Sequence, residues 1–376
     1  MLEVQKFIDE HEDWRELLSK EPYCISISDD RVFNRNLVLL KYSQIESDFR
    51  LNIVRECRGL ILDADTHEIV CYPFYKFFNY GEFNAAEIDW GSAFVSEKLD
   101  GSIIKVVRIG SDFLISTNGT IDAFKCKVGN FASPFPTFGE LAMEGFKYYG
   151  IQLSDFPKYF EEGFTYIFEL TSPWNQVIVK WDETKMNLIG VRDNKTLHEI
   201  PFYEHHLASV FNTPNIYPIH TIDECVEAAK VLPENNEGYV VCDKNFNRIK
   251  VKSPRYVQLH YMASNQNWSA ERILEIIRAN EVSEYVAYFP MFKIAFDKVN
   301  SEYRKFLDGL ELFENKMKEF LSVGGKTKKE FAMWVFATDK TFQAFAFKFF
   351  DGKVASSKEW LDSLKNVQIL GLIGLK

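Results

Sequence analysis

Lys98-Leu99-Asp100-Gly101 stands directly in front of two alternating runs, Ile103–Arg108 and Phe113–Thr117, which are joined by the turn Gly110-Ser111-Asp112. Alternation of apolar and polar residues is the period of a strand with one buried face, so the stretch reads as a β-hairpin. Lys98 falls just before that hairpin, where a reactive side chain can lie at the floor of a cleft. The same period recurs outward from it, at Leu37–Lys41, Gly59–Leu62, Ile69–Tyr72 and Phe164–Glu169. From Tyr23 to about Lys252 the chain is expected to be mostly strands.

The flanks read differently. Residues 1–20 carry Val4, Phe7, Ile8, Trp14, Leu17 and Leu18 at helical spacing and are expected to form one short amphipathic helix. Residues 131–160 should hold a helix plus loops. Leu197–Asn236 reads as a helical insertion, clearest over Asp223–Lys230. Beyond Ser253-Pro254 the period turns helical: Glu271–Ala279 carries Ile273, Leu274, Ile276 and Ile277, and Glu302–Leu321 carries Phe306, Leu310, Phe313, Met317, Phe320 and Leu321 before Gly324-Gly325 ends it. The run Phe342–Phe350 is expected to be core, and Lys326, Lys328 and Lys329 a small basic loop. The organisation this predicts is an α+β domain over 1–253 and an all-α domain over 254–376.

The residues downstream of Lys98 give it a chemistry. They are Glu169, the strand opening Glu237-Gly238-Tyr239-Val240, and the pair Lys250-Val251-Lys252. A lone Lys-x-Asp-Gly is a weak signal and is most often an exposed turn; the ordered set is a strong one. A free lysine amine is neutral in only roughly 1 of 2,500 molecules at pH 7. To attack the α-phosphorus of a nucleotide it must lose its proton, which nearby cations or desolvation favour. Residues two apart on a strand share a face, so Lys250 and Lys252 can enter one pocket with it. There they can hold α-phosphate oxygens as the bond to pyrophosphate breaks. Gly101 would let backbone approach a nucleotide. Glu169 and Glu237 are acceptors suited to a ribose hydroxyl or to water around Mg²⁺. The expected step is therefore transfer of AMP from ATP onto a lysine.

With Glu56-Cys57-Arg58-Gly59 before Leu60-Ile61-Leu62, Tyr75–Glu82, Phe164–Glu169 and Ile249–Ser253, the chain resembles the covalent nucleotidyltransferases, and within them ATP-dependent RNA ligases of the bacteriophage T4 RNA ligase 1 type. The likeness spans roughly residues 50 to 255. It implies an antiparallel-sheet nucleotidyltransferase (ATP-grasp-like, ligase adenylylation) domain followed by the helical one, with RNA specificity residing in the latter. It implies Lys98 as the adenylylated nucleophile, Arg58 and Lys76 on ATP phosphates or an RNA 5′-phosphate, and Glu169 on ribose. Lys250 and Lys252 would grip the α-phosphate, and Glu237 would support Mg²⁺, through water, with Mn²⁺ able to substitute. Asn118, before Gly119, stands where this type has a basic residue. The implied substrates are RNA ends, a 5′-phosphate and a 3′-hydroxyl, as in a cleaved tRNA anticodon loop of a phage-infected cell.

Composition narrows the alternatives. A net charge of −10 over 376 residues excludes coating of nucleic acid by bulk charge, so any RNA grip must be a local groove. The six cysteines form no C-x-x-C pair or zinc spacing, and His205-His206 has no ligand partners at useful spacing. No apolar stretch reaches membrane-span length, and Glu3 and Asp9 fall where a signal peptide would be apolar. A reduced, cytoplasmic, monomeric protein is expected. A GTP-dependent capping enzyme or a DNA ligase shares the lysine chemistry, but would append an all-β module where this chain turns helical. A non-catalytic RNA-binding relative would be expected to have lost Lys98 or the Lys250/Lys252 pair.

Overall fold

A computed structural model describes residues 1–130, 133–233, 235–257, 269–283, 286 and 293–375. The chain divides into two compact units, Met1–Asn265 and Gln266–Lys376, a division that falls somewhat beyond the change of period at Pro254.

The first unit opens with two helices, α1 (Glu3–Glu10) and α2 (Trp14–Ser19), where the sequence suggested one. The acidic run Asp9-Glu10-His11-Glu12-Asp13 accounts for the break, because carboxylates at a helix C-terminus oppose its dipole. The apolar stripe survives the interruption: Val4, Ile8, Trp14 and Leu18 are all buried. The strands follow in chain order. β1 (Ile25–Val32), β2 (Arg35–Tyr42), β3 (Arg58–Asp63) and β4 (Ile69–Cys71) form an antiparallel sheet in that sequence, with α3 (Asn52–Glu56) leading into β3.

Two five-stranded sheets carry the rest. Their strands are β5 (Phe78–Asn79), β6 (Phe94–Lys98), β7 (Ser102–Ile109), β8 (Asp112–Thr117), β9 (Phe164–Thr171), β10 (Lys185–Asp193), β11 (Glu199–Ile200), β12 (Ile216–Tyr217), β13 (Gly238–Cys242) and β14 (Arg248–Lys252). One sheet runs β11-β10-β9-β7-β8 and the other β12-β6-β13-β14-β5. Among the described residues, neighbouring strands in these sheets pair antiparallel except β5 with β14, where a two-residue edge strand runs parallel and Tyr80 N donates to Lys250 O at 2.7 Å. The expected hairpin is β7–β8, paired from Ile104↔Thr117 to Ile109↔Asp112.

Alternation decides which face of each sheet is filled. Ile104, Val106, Tyr166, Phe168 and Leu170 pack with Phe146 of α4 (Phe138–Lys147) and with Phe156, Phe160 and Phe211. Val95, Tyr239, Val241, Ile249 and Val251 pack with Cys225 and Ala229 of α5 (Ile222–Lys230). Each fully buried large side chain contributes about 1.5–3 kcal/mol. The alternate residues of both sheets are left for a cleft.

The interval Leu197–Asn236 is not a helical insertion. It holds α5 and a 3-10 turn at His206–Ser209, but also β11 and β12, which join the two sheets. Strands of two residues have no period to read.

The second unit comprises α6 (Ala270–Arg278), α7 (Lys293–Ser322), α8 (Lys328–Thr338), α9 (Gln343–Phe350), α10 (Ser357–Asp362) and α11 (Asn366–Leu372). It has no strand among the described residues. α7 extends back nine residues beyond the expected Glu302, burying Phe296, Val299, Tyr303, Phe306, Leu310, Phe313 and Met317 on one stripe. Phe342 and Phe345 are core, as expected. Lys328 and Lys329 are not in a loop: they open α8 behind the Thr327 cap, and Lys328 pairs with Asp351 at 2.7 Å.

Candidate active site

The floor of the cleft is three rows of side chains across β6, β13 and β14. The pairing aligns Lys98, Gly238 and Lys252; then Ser96, Val240 and Lys250; then Phe94, Cys242 and Arg248. Residues opposite one another in a ladder share a face, so each row ends in a cation of β14: Lys252, Lys250 and Arg248. Gly101, Ile103, Glu169 and Ile189 form the opposing wall, Arg58 at the start of β3 closes one side, and the cleft encloses about 260 Å³.

Lys98 is the last residue of β6, and Ser102 is the first of β7 in the other sheet, so Lys-x-Asp-Gly is the crossover between the two sheets. Asp100 fixes that crossover. It is 4% exposed and accepts from Ile178 N (2.9 Å), Val179 N (2.7 Å) and the Tyr256 hydroxyl (3.0 Å), while Trp181 Nε1 donates to its carbonyl (2.8 Å). Gly101 lines the cleft, yet the atom that excludes a Cβ there is the Leu170 carbonyl oxygen, 2.3 Å from where it would sit. The close approach is to the neighbouring strand rather than to a ligand.

Gly238, at φ +148°, is needed for a similar reason: a Cβ would lie 2.3 Å from Val251 O and 2.7 Å from Lys252 Cα. Its bare position leaves room between Lys98 and Lys252, whose backbones stand two strand spacings, roughly 10 Å, apart. Glu237 fills that room. Lys98 Nζ donates to its Oε2 at 2.5 Å, and Lys252 Nζ lies 3.4 Å from its Oε1. This carboxylate is 4% exposed, so the pairings act in a poorly screened setting.

Lys250 is deeper. Burial first, and then the charges of Lys76, Lys252, Arg58 and Lys98, push its pKa well down. The Arg58 guanidinium lies over Phe77 at 5.0 Å, and its Nη1 is buried with no partner among the described residues. A cluster of cations with one orphaned donor is a cradle suited to a polyanion. Burial raises Glu169 to about 7, with Glu237 and Asp100 adding to the rise while Lys98 and Arg58 oppose it.

That shift carries a stability consequence. The folded pKa exceeds the ordinary glutamate value near 4.3, so the fold holds the proton more tightly than the unfolded chain does. Stability from this group is full below about pH 4.3 and is lost as pH rises through about 7. Glu169→Gln, which mimics the protonated form, is expected to raise the melting temperature by about 2–6 °C at pH 8 and by less at pH 5. Equal gains at the two pH values, in calorimetric scans, would rule out the carboxylate as the cause.

The structure thus brings Lys98, Gly101, Glu169, Lys250 and Arg58 to one cleft and ties Glu237 and Lys252 to Lys98. Lys76 does not line it: its ammonium stands in an adjoining groove over Tyr42, Phe49 and Phe78 at 5.0–5.3 Å, near enough to depress Lys250. Glu56, beside Arg58 in sequence, serves the fold by accepting from Glu3 N and Val4 N at the start of α1. Asn118 has its Oδ1 buried and unpartnered among the described residues. His205 caps the 3-10 turn that follows it and is held near 4 by burial and by His206.

Sequence reasoning missed several residues. Asp100 lies inside the Lys-x-Asp-Gly motif. Arg248 lies two before Lys250, and the strand period would have found it; it pairs with buried Glu199, which also holds Arg192. Lys105, fully buried and donating to Gly59 O at 2.6 Å, leaves no signal in the sequence. Among the described residues no three His, Cys, Asp or Glu side chains group to hold a metal, and no helix is long and apolar enough to cross a membrane.

The RNA ligase family matches residues 56–256, the segment that supplies every side chain of this cleft. A protein of Autographa californica nuclear polyhedrosis virus, inferred to be a bifunctional polynucleotide kinase/RNA ligase, is 28% identical over 317 residues, covering 78% of this chain and 42% of that protein. One from Thermovibrio ammonificans, inferred to be an RNA ligase, is 31% identical over 227 residues, covering 57% and 55%. The chain spans about half the length of these relatives. Among solved structures, an archaeal ATP-dependent RNA ligase aligns with 75% of this chain and 79% of its own at 13% identity and a TM-score of 0.46.

Proposed function

The chain belongs to the RNA ligase family, and from that premise we propose that it seals RNA ends in an ATP-dependent reaction with Lys98 as the nucleophile. The observation that carries the reading is the contact of Lys98 and Lys252 with the two oxygens of Glu237, at the edge of a cleft lined by Arg58, Glu169 and Lys250.

In the first step Lys98 Nζ, having given up its proton, attacks the α-phosphorus of ATP; a P–N bond forms, and the bond to pyrophosphate breaks. The Glu237 carboxylate that Lys98 already touches is placed to take that proton. Lys250, Lys252 and Arg58 offset the charge on the phosphates, and Glu169 accepts from ribose. In the second step an oxygen of an RNA 5′-phosphate attacks the AMP phosphorus; the P–N bond breaks and the Lys98 amine regains a proton. In the third, a 3′-hydroxyl attacks the activated 5′-phosphate, its proton is lost, and AMP leaves. A single buried carboxylate fits Mg²⁺, which keeps most of its waters and binds substrate phosphates. Glu237 would reach it through water, and the ion would supply further neutralisation of phosphate charge.

Incubation with ATP or GTP labelled at the α-phosphate, followed by a denaturing gel, tests this reading. The expected result is a covalent adduct from ATP alone. Labelling from GTP would turn the assignment to a capping enzyme, and no adduct would turn it to a binding protein. The finer task we propose is repair of cleaved tRNA anticodon loops in the cytoplasm, by a monomer whose helical unit reads RNA shape. A chain ending near Ser264, a position outside the described residues, is expected to form the AMP adduct and to seal a simple preadenylylated strand. It should lose several-fold its preference for a nicked stem-loop over linear RNA. An unchanged ratio of sealing rates would leave the helices a structural role only.

A further inference from the structure

Beside the cleft lies a second, wider groove of about 500 Å³ that shares Phe77 and Arg248 with it. Two of its four cations are already neutralised: Arg50 pairs with Asp48 at 2.6 Å and Arg248 with Glu199 at 2.5 Å. The other two, Arg55 and Lys76, form no ion pair among the described residues. Both are nonetheless held in place. The Arg55 guanidinium donates to the Phe49 carbonyl oxygen and lies 5.6 Å from the Phe78 ring centre, and the Lys76 ammonium is caged by three rings.

Phe83 borders the same groove and is 90% exposed. A single exposed phenylalanine is ordinary. One that rims a groove holding two cations outside any ion pair among the described residues, next to a phosphoryl-transfer cleft, has the composition of a single-strand site, with an aromatic platform for a base and cations for the backbone.

We propose that this groove seats the 5′-phosphorylated end of a single-stranded RNA. Arg55 and Lys76 take the terminal phosphate and Phe83 stacks on a base near that end. A phosphate monoester carries about two negative charges at neutral pH, which suits two cations that stand outside any ion pair; a 3′-hydroxyl end offers no such dianion. Lys76 is the bridge, because it neighbours Lys250 in the cleft while lining the groove. The assignment rests on the ligase reading and adds to it the seat of one substrate.

The test uses the full chain, preloaded with labelled AMP on Lys98 and challenged in single turnover with rising concentrations of 5′-phosphorylated single-stranded RNA. Phe83→Ala is expected to raise the half-saturating RNA concentration about 5- to 50-fold, to leave adduct formation from ATP unchanged, and to be rescued by Phe83→Trp. Arg55→Gln should raise it comparably and reduce the slope against log salt by about one contact. Wild-type half-saturation in both variants would overturn the proposal. So would a Phe83→Ala defect confined to the 3′-hydroxyl strand, measured with preadenylylated RNA. Failure of the ligase reading itself looks different: the unmodified protein would take up no label, and the groove's assignment would fall with it.

Discussion

Lys98→Ala is expected to abolish covalent labelling by ATP, a loss of at least about 10³-fold, while the protein stays folded. The geometry makes both halves of that statement specific. Lys98 is the lysine that the sheet crossover delivers to the cleft edge against Glu237, whereas the Lys250 ammonium stands over the Phe77 ring, 5.1 Å from its centre. Its removal does not strand a buried charge, because Lys252 still stands 3.4 Å from the Glu237 carboxylate; a lone buried carboxylate would be strongly destabilising. The fold should therefore lose only one ion pair. Labelling on denaturing gels, with thermal melts of the same samples, checks both parts. Robust label on the variant, mapped to Lys252 or elsewhere, would overturn the choice of nucleophile.

The floor of this cleft is legible in the amino-acid sequence because period 2 survives in β14: Lys250 and Lys252 had to share a face, and they do. Register is not legible in the same way. That Lys98 lies opposite Gly238 depends on hydrogen bonding between β6 and β13, more than a hundred residues apart in sequence, and Gly238 meets Lys252 only through the register of the β13–β14 hairpin. Gly101 illustrates the same limit. A glycine after a reactive lysine suggests close approach by a ligand, but its neighbour is the Leu170 carbonyl, a partner that only the pairing of β7 with β9 supplies. The assignment of Lys76 to the phosphates rests on resemblance. Its ammonium is held by aromatic rings from β2, β5 and the loop between β2 and α3, a cage that no local pattern announces. Asp100 has the strongest local signal of the missed residues, since its position within the motif is fixed. Its role as a triple acceptor depends on Ile178, Val179 and Tyr256, which arrive from distant segments.

The Lys250 and Lys252 side chains are expected to matter for adenylylation by comparable factors and for different reasons. Each replacement by Ala should slow labelling of Lys98 by about 10²–10³, the usual cost of losing one preorganised charge donor. Lys252 shares Glu237 with Lys98, so Lys252→Ala leaves that carboxylate committed to the nucleophile alone and removes a cation from the phosphate path. Lys250 starts from the opposite position. Burial and four neighbouring cations drive its pKa well down, so before nucleotide binds its proton is held weakly. A triphosphate entering the cradle reverses the sign of the surrounding field and raises that pKa. ATP binding should therefore be accompanied by proton uptake, seen as a dependence of the calorimetric binding heat on the ionisation enthalpy of the buffer. Uptake should fall in Lys250→Ala and persist in Lys252→Ala, whose carboxylate partner offsets the field in the free protein. Labelling at wild-type rates by both variants from pH 6 to 9 would remove these lysines from the transfer step and leave them as supports of the β13–β14 edge.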